Sequence, residues 1–274
     1  MRRSDIETVP ILLYHRVVPA GQFDHAYDIS AHTFEQHLVH LRASGYRTAC
    51  FAEYLAALRA GKWRTEEKRV ILTFDDAPIS YHRIVLPLLM QYGFRAVFFI
   101  PTAHLDRGSD QLGLVELSEM RDAGMEIQSH GHSHAFLSQL APDELREELV
   151  RSRTVLEEQL ESPVRILACP GGRYNGRVLR MASEVGYLGV CTSRPGHGAH
   201  SPREDLRVFD RLVVHERTPR PEFRGFLDKR TSLMRKKKLS YQLRVAIRSV
   251  LGQRLYHAVW SSLSRWRSSN RHPR

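Results

Sequence analysis

Two adjacent carboxylates and a histidine cluster are the residues of this chain best suited to chemistry. Asp75 and Asp76 stand directly after the apolar run 70–74, which predicts a strand, and His130 and His134 follow a second predicted strand. One carboxylate with two imidazoles can hold a catalytic zinc ion and leave coordination positions open for water and substrate. The pattern therefore predicts a metal site with a free carboxylate beside it, a combination typical of hydrolysis.

Simpler interpretations exist for each half of this pattern. An isolated Asp-Asp pair is usually a helix cap or a turn, and a lone histidine is usually structural. Here three histidines fall within five residues, each cluster follows a strand, and the two clusters together favour a metal site. The i, i+4 spacing of His130 and His134 predicts a helical turn that directs both imidazoles to one side. His132 would then point elsewhere, as a bystander.

The elements that must position these residues alternate along the chain. Apolar runs predict strands, and apolar residues at helical spacing predict helices. The predicted strands are 9–14, 70–74, 96–100, 125–128, 166–168 and 188–191, and the predicted helices are 34–41, 52–60, 84–89, 116–123, 143–160 and 177–185. This alternation indicates an α/β fold with a mainly parallel sheet, either a barrel or an open doubly wound sheet. Such sheets place active sites at the carboxyl ends of their strands.

The motifs resemble those of a known family. Thr73-Phe74-Asp75-Asp76, and Ser129-His130 with His134, are similar to the first two motifs of the polysaccharide deacetylases, carbohydrate esterase family 4. Residues 10–17 resemble the permuted branch that includes the poly-N-acetylglucosamine deacetylases. The resemblance covers residues 9–226 and implies an irregular (β/α) barrel.

The resemblance also implies a role for each motif residue. Asp75 corresponds to the catalytic base, while Asp76, His130 and His134 correspond to the ligands of a divalent metal, commonly zinc. His15, at the end of the first strand, corresponds to the general acid of the permuted branch. By its residues alone, His15 is more simply a hydrogen-bonded histidine at a strand end.

The third motif departs from the family pattern at residues 168–175. Gly171 replaces an aromatic residue whose backbone N–H helps to hold the oxyanion, which keeps the N–H but removes a side-chain wall. Pro170, Arg173 and Tyr174 are the other expected oxyanion or substrate residues. The alternative interpretation of Pro-Gly-Gly is a plain turn.

The departure also removes the arginine that normally orients the base. Arg211 is our candidate replacement. His215, four residues later, occupies the place of the acid in unpermuted members and is the rival of His15.

The charge distribution separates a near-neutral body from a basic tail. The net charge is +11, but residues 229–274 hold 13 Lys or Arg and no acidic residue, which leaves 28 basic and 30 acidic residues in 1–228. We therefore predict a catalytic domain at 1–228 and a tail at 229–274. Leu239 to Trp266 is basic and amphipathic, which predicts a helix at an anionic membrane surface, although a helix packed on the body or a disordered tail explains it as well. Nucleic-acid binding is disfavoured.

Function follows from these features together. Three separated cysteines, no signal-like segment and no run long enough to span a membrane predict a cytoplasmic protein, with the inner membrane face as the alternative location. We predict a metal-dependent N-deacetylase of an amino sugar in a polysaccharide or lipid-linked saccharide. The alternatives are hydrolysis of another non-peptide C–N bond, and a degenerate, non-catalytic partner in polysaccharide assembly.

Overall fold

The computed structural model describes residues 9–60, 67–200 and 205–247. The chain divides into two compact units, Met1–Lys229 and Arg230–Arg274. Within the second unit, residues 231–247 form a helix. Most of the predicted apolar stripe of the tail lies outside the described residues, so the amphipathic membrane helix stays a prediction. The boundary at residue 228 also stays a prediction. None of the described helices has the length and apolar character needed to cross a membrane.

The first unit alternates strands and helices much as the sequence predicts. Its strands are β1 Ile11–Tyr14, β2 Val17–Val18, β3 Ile29–Ser30, β4 Arg47–Thr48, β5 Arg69–Asp75, β6 Val97–Ile100, β7 Glu126–Ser129, β8 Ile166–Ala168, β9 Gly189–Cys191, β10 Ala199–His200, β11 Arg207–Phe209 and β12 Leu212–Val213. Its helices are α1 Ala31–Ala43, α2 Phe51–Ala60, α3 Leu86–Tyr92, α4 Leu114–Asp122, α5 Pro142–Leu160, α6 Gly176–Val185 and α7 Arg220–Leu227. A π-helical turn, Tyr81–Val85, precedes α3.

The main sheet curves into an irregular barrel. Its strand order is β10-β11-β9-β8-β7-β6-β5-β1-β12, and the neighbouring pairs are parallel except β10 with β11. Seven strand spacings separate β11 from β12, roughly 34 Å in a flat sheet. Yet only Asp210 and Arg211 connect these two strands, a span of about 11 Å at most. The sheet must therefore bend until its two ends approach each other, which confirms the barrel and excludes the open sheet.

The barrel interior is apolar at one end and polar at the other. Side chains of alternate strand positions, such as Ile11, Ile71 and Phe99, join the α2 residues Phe51 and Tyr54 in one buried cluster. The backbone N–H of Ala49, just before α2, bonds to Val70 near the start of β5, so α2 covers the amino ends of the strands. The opposite, carboxyl end remains available for the polar clusters.

Candidate active site and metal centre

The predicted carboxylate pair lies at the end of β5. Asp75 is the last residue of the strand and is buried, whereas the Asp76 side chain is 36% exposed. Asp76 has φ +84°, a left-handed conformation that non-glycine residues rarely adopt. The Tyr81 hydroxyl donates a hydrogen bond to the Asp75 carbonyl and fixes this turn. The two neighbouring carboxylates therefore face different surroundings.

The predicted histidine pair converges, but not through a helical turn. Residues 130–136 contain no helix, so that prediction is wrong. Instead Gly131 and His134 adopt positive φ values of +77° and +65°, which fold the loop back and bring the His130 and His134 rings to 4.9 Å between centroids. Left-handed conformations at non-glycine residues cost free energy and concentrate at functional sites. His132 bonds to Thr102 through Nδ1, away from the pair, as predicted.

Asp76, His130 and His134 form a group that could hold a metal ion. Their ligand atoms all lie within 4.8 Å of one another, and they are the one such group in the described part of the chain. Asp76 Oδ1 is 3.2 Å from His134 Nε2 and 3.8 Å from His130 Nε2. Tetrahedral zinc with bonds of about 2.0–2.2 Å separates its ligand atoms by about 3.3–3.6 Å. The three residues fit such an ion.

A second layer of contacts orients this group. His130 Nδ1 lies 2.9 Å from the Ala168 carbonyl oxygen, so the proton is on Nδ1 and Nε2 faces the group. Glu148 of α5 accepts hydrogen bonds from the backbone N–H and the hydroxyl of Ser133 and holds the histidine loop. Glu148 is not among the residues predicted for the site. Its only signal in the sequence is an acidic residue on the apolar side of a predicted amphipathic helix.

Arg211, our candidate for the arginine that orients the base, lies against Asp75. Its Nη1 is 2.6 Å from Asp75 Oδ1 and its Nη2 is 2.7 Å from Oδ2, a bidentate pair. Arg211 also donates to the Thr192 carbonyl and to the Thr73 hydroxyl, and it is fully buried. Both oxygens of Asp75 thus have a fixed donor, and the planar guanidinium sets the orientation of the carboxylate.

The electrostatics keep the two carboxylates ionised. Burial alone would raise the pKa of Asp75, but Arg211 and then His130 outweigh it and hold that pKa below its usual range. Burial likewise opposes ionisation of Asp76, but the hydrogen bond with His134 and the charges of His130, His15 and His134 together outweigh it and lower the pKa of Asp76. Burial lowers the pKa of His130 and so favours the neutral imidazole that a metal requires.

Both histidines considered as the acid lie at the same level as Asp75. β1 pairs in parallel with β5 and with β12, so Asp75 at the end of β5, His15 after β1 and His215 after β12 lie at the same edge of the sheet. His15 is partly buried, and burial lowers its pKa against the opposing effect of Asp75 and Asp76. His215 Nδ1 accepts the backbone N–H of Arg217. The Tyr27 ring lies 5.0 Å from the His15 ring and 6.5 Å from the His215 ring.

The third-motif segment forms a tight turn next to His130. Pro170 is buried, and Gly171 has φ +62°. A Cβ at Gly171 would lie 2.9 Å from Phe136 Cε1, so the Phe136 ring fills the space beside this glycine. The Arg173 guanidinium stacks over the same ring at 3.8 Å, and Tyr174, the next residue, is partly buried. The Phe136 ring therefore occupies the position beside Gly171, and Phe136 is not among the residues predicted for the site.

Comparisons with known proteins agree with this geometry. Residues 62–190 match the family described as polysaccharide deacetylase. These residues belong to the polysaccharide deacetylase family. YxkH of Bacillus subtilis, grouped by name with the polysaccharide deacetylases, is 29% identical over 206 residues, which cover 75% of this chain and 71% of YxkH. The peptidoglycan-N-acetylglucosamine deacetylase of Bacillus cereus is 30% identical over 128 residues, 46% of this chain and 57% of that protein.

A solved structure extends the likeness to most of the chain. The structure of the Streptococcus pyogenes deacetylase PplD in complex with acetate superposes on this chain with a TM-score of 0.71 at 27% sequence identity. The superposition covers 81% of this chain and 98% of the PplD chain. The predicted family and the predicted polysaccharide deacetylase fold are thus confirmed.

The matched segment contains some of the predicted site residues and not others. Asp75, Asp76, His130, His134 and the third-motif segment lie inside residues 62–190 of the deacetylase family match. Its bounds exclude His15, Arg211 and His215. The strand register and the contacts described above give the positions of these three residues in the barrel. Their roles are proposals.

Proposed function

We propose that this protein is a metal-dependent N-deacetylase that acts on an acetylated amino sugar in a polysaccharide or lipid-linked saccharide. The observation that carries the proposal is the convergence of Asp76, His130 and His134 beside a carboxylate, Asp75, that Arg211 holds in place. The names of the relatives support the substrate class, since one is a peptidoglycan-N-acetylglucosamine deacetylase.

The metal ligands and the base have separate tasks in this proposal. Asp76, His130 and His134 would hold a divalent ion, most suitably zinc. When bound, that ion would supply Lewis acidity to the acetyl carbonyl and lower the pKa of a water molecule. Asp75, ionised and held by Arg211, takes a proton from the attacking water.

The remaining residues act on the tetrahedral oxyanion and on the leaving group. The backbone N–H of Gly171 is our candidate oxyanion donor, with Pro170, Arg173 and Tyr174 forming the adjoining substrate surface. An amine leaves readily only after its nitrogen is protonated, and we assign that step to His15. Water is consumed, the C–N bond breaks, and acetate and the free amino sugar are released.

Acetate release across a panel of N-acetylated saccharides tests the proposal, with and without added zinc. We expect release that chelation abolishes and zinc restores, and a rate lowered by about 10²–10⁴-fold in Asp75→Asn. Release from a simple amide but from no saccharide would favour the alternative hydrolase. A protein that binds zinc and saccharide but releases nothing would be the degenerate partner, which the complete ligand set disfavours.

From its sequence, we also propose that the basic tail contacts membranes. Thirteen basic and no acidic residues at 229–274 should attract anionic lipid, at about 1 kcal/mol for each Lys or Arg near the surface. The full chain should co-sediment with anionic vesicles but not with neutral ones, and a chain ending at Lys229 should remain in solution. Equal sedimentation of the two chains would show that the tail does not bind membranes.

A further inference from the structure

The loop between β2 and β3 is a built structure rather than a loose connection. Asp28 is 2% exposed, and its Oδ2 accepts hydrogen bonds from the backbone N–H groups of Asp24 and His25. Arg16 donates to the same oxygen and to Asp24. Because Arg16 directly follows His15, these contacts tie the loop to the strand end that carries the proposed acid.

Tyr27 is the loop residue that reaches the site. Its ring is stacked on the His15 imidazole, with centroids 5.0 Å apart and planes 24° apart. It also meets the His215 ring edge-on. Nevertheless Tyr27 is 50% exposed, a large fraction for a tyrosine that already contacts two rings. One part of Tyr27 therefore supports His15, and another part is open to solvent beside the site.

The stacking matters because no hydrogen bond to Nδ1 orients the His15 ring among the described residues. That nitrogen is buried. Histidines that transfer protons are usually oriented by a hydrogen bond on the second ring nitrogen. For His15, the ring contact with Tyr27 provides the orientation that such a hydrogen bond would give.

We propose that Tyr27 is a positioning and sugar-binding residue. One part of its ring holds the His15 imidazole, and its exposed part packs against the pyranose ring that carries the leaving nitrogen. Aromatic rings suit this purpose because they present a large, rigid apolar surface with a polar edge. This inference rests on the proposed function, and it names the side of the pocket where the sugar lies.

Three variants of Tyr27 test its proposed effects on kcat and KM. Tyr27→Phe keeps the ring, Tyr27→Leu keeps only apolar bulk, and Tyr27→Ala removes both. With the shortest saccharide that is deacetylated, we expect Tyr27→Phe to be near wild type. Tyr27→Leu and Tyr27→Ala should lose about tenfold in kcat/KM, with both kcat lowered and KM raised, and should alter the pH profile of kcat.

Phe23 provides the matched control. It lies on the same loop and is 45% exposed, yet the structure gives it no ring contact with His15 among the described residues. Phe23→Ala should leave kcat and its pH profile unchanged with that substrate. If Tyr27→Ala and Tyr27→Leu behave like Phe23→Ala, the proposal is overturned.

A measurement without substrate separates this proposal from the deacetylase assignment. The ring-proton resonances of His15, assigned by comparison with His15→Ala, should show the upfield ring-current shift of a stacked imidazole. The shift should persist in Tyr27→Phe and vanish in Tyr27→Leu. A wild-type protein that shows this shift but deacetylates nothing would refute the proposed function alone. Identical His15 resonances in wild type and Tyr27→Leu would refute the positioning role whatever the activity.

Discussion

Arg211 and Asp75 form a fully enclosed bidentate ion pair that joins the carboxyl end of β5 to the start of β12. The guanidinium is 0% exposed and the carboxylate 5% exposed, and the partners are 136 residues apart in the chain. The centre of the Phe99 ring lies 5.3 Å from the guanidinium carbon, within the range of a cation–π contact. Because both charges are desolvated, each is stable only while the other remains in place.

Removing Arg211 should therefore affect both folding and catalysis. Arg211→Met leaves a buried, unpaired carboxylate, and breaking such a pair typically costs about 3–5 kcal/mol. We expect a loss of that size in the free energy of unfolding, measured by urea denaturation, together with a large fall in kcat. The double variant Arg211→Met/Asp75→Asn should recover part of the stability but none of the activity. Additive losses in the double variant would mean that the pair is not coupled.

Substitutions of the two adjacent carboxylates should have different effects. Asp75→Asn keeps the side-chain shape and removes the base, which typically lowers the rate by about 10²–10⁴-fold. Asp76→Asn removes a proposed ligand and should abolish zinc binding. Zinc content after gel filtration, measured beside acetate release, distinguishes the two. Similar zinc loss in both variants would show that the roles have been confused.

The choice of acid sets His15 against His215. His15 experiences the fields of Asp75, Asp76 and Arg211, whereas the Nδ1 of His215 is engaged with the backbone of its own turn. His15→Ala should lose most activity with unchanged zinc content, and His215→Ala should be mild. The opposite ranking of kcat values would assign the acid to His215 and the unpermuted arrangement to this chain.

At the other end of the barrel, Glu126 should make stability depend on pH. Burial raises the pKa of Glu126 to about 7, and its carboxylate accepts the Ala52 N–H at the start of α2. The folded state therefore favours the protonated Glu126 side chain. The contribution of this group to the free energy of unfolding is complete below the ordinary pKa near 4.5 and is lost as the pH rises through 7.

Glu126→Gln mimics the protonated acid and tests this dependence. The difference in Tm between Glu126→Gln and wild type should grow between about pH 4.5 and 7 and then level off. Glu126→Ala, which removes the acceptor altogether, should be less stable than Glu126→Gln at every pH. A difference in Tm that does not change with pH would contradict the raised pKa.

Local sequence was sufficient to predict most of the longer elements and the proposed ligands. Apolar runs end where the strands end, so the sequence alone places Asp75 and His130 at strand ends. Long helices such as α5 begin and end within a residue of their predicted bounds. Short strands such as β12 escaped prediction, because two residues carry no detectable periodicity.

Contacts between distant residues were decided only by the tertiary structure. The short link at Asp210 and Arg211 selects a barrel over an open sheet, and the same link directs Arg211 onto Asp75. The histidines meet through left-handed residues rather than a helical turn. Phe136 fills the space beside Gly171, and Tyr27 stacks on His15. Periodicity records which face of an element is apolar, but strand register and loop path determine which side chains meet.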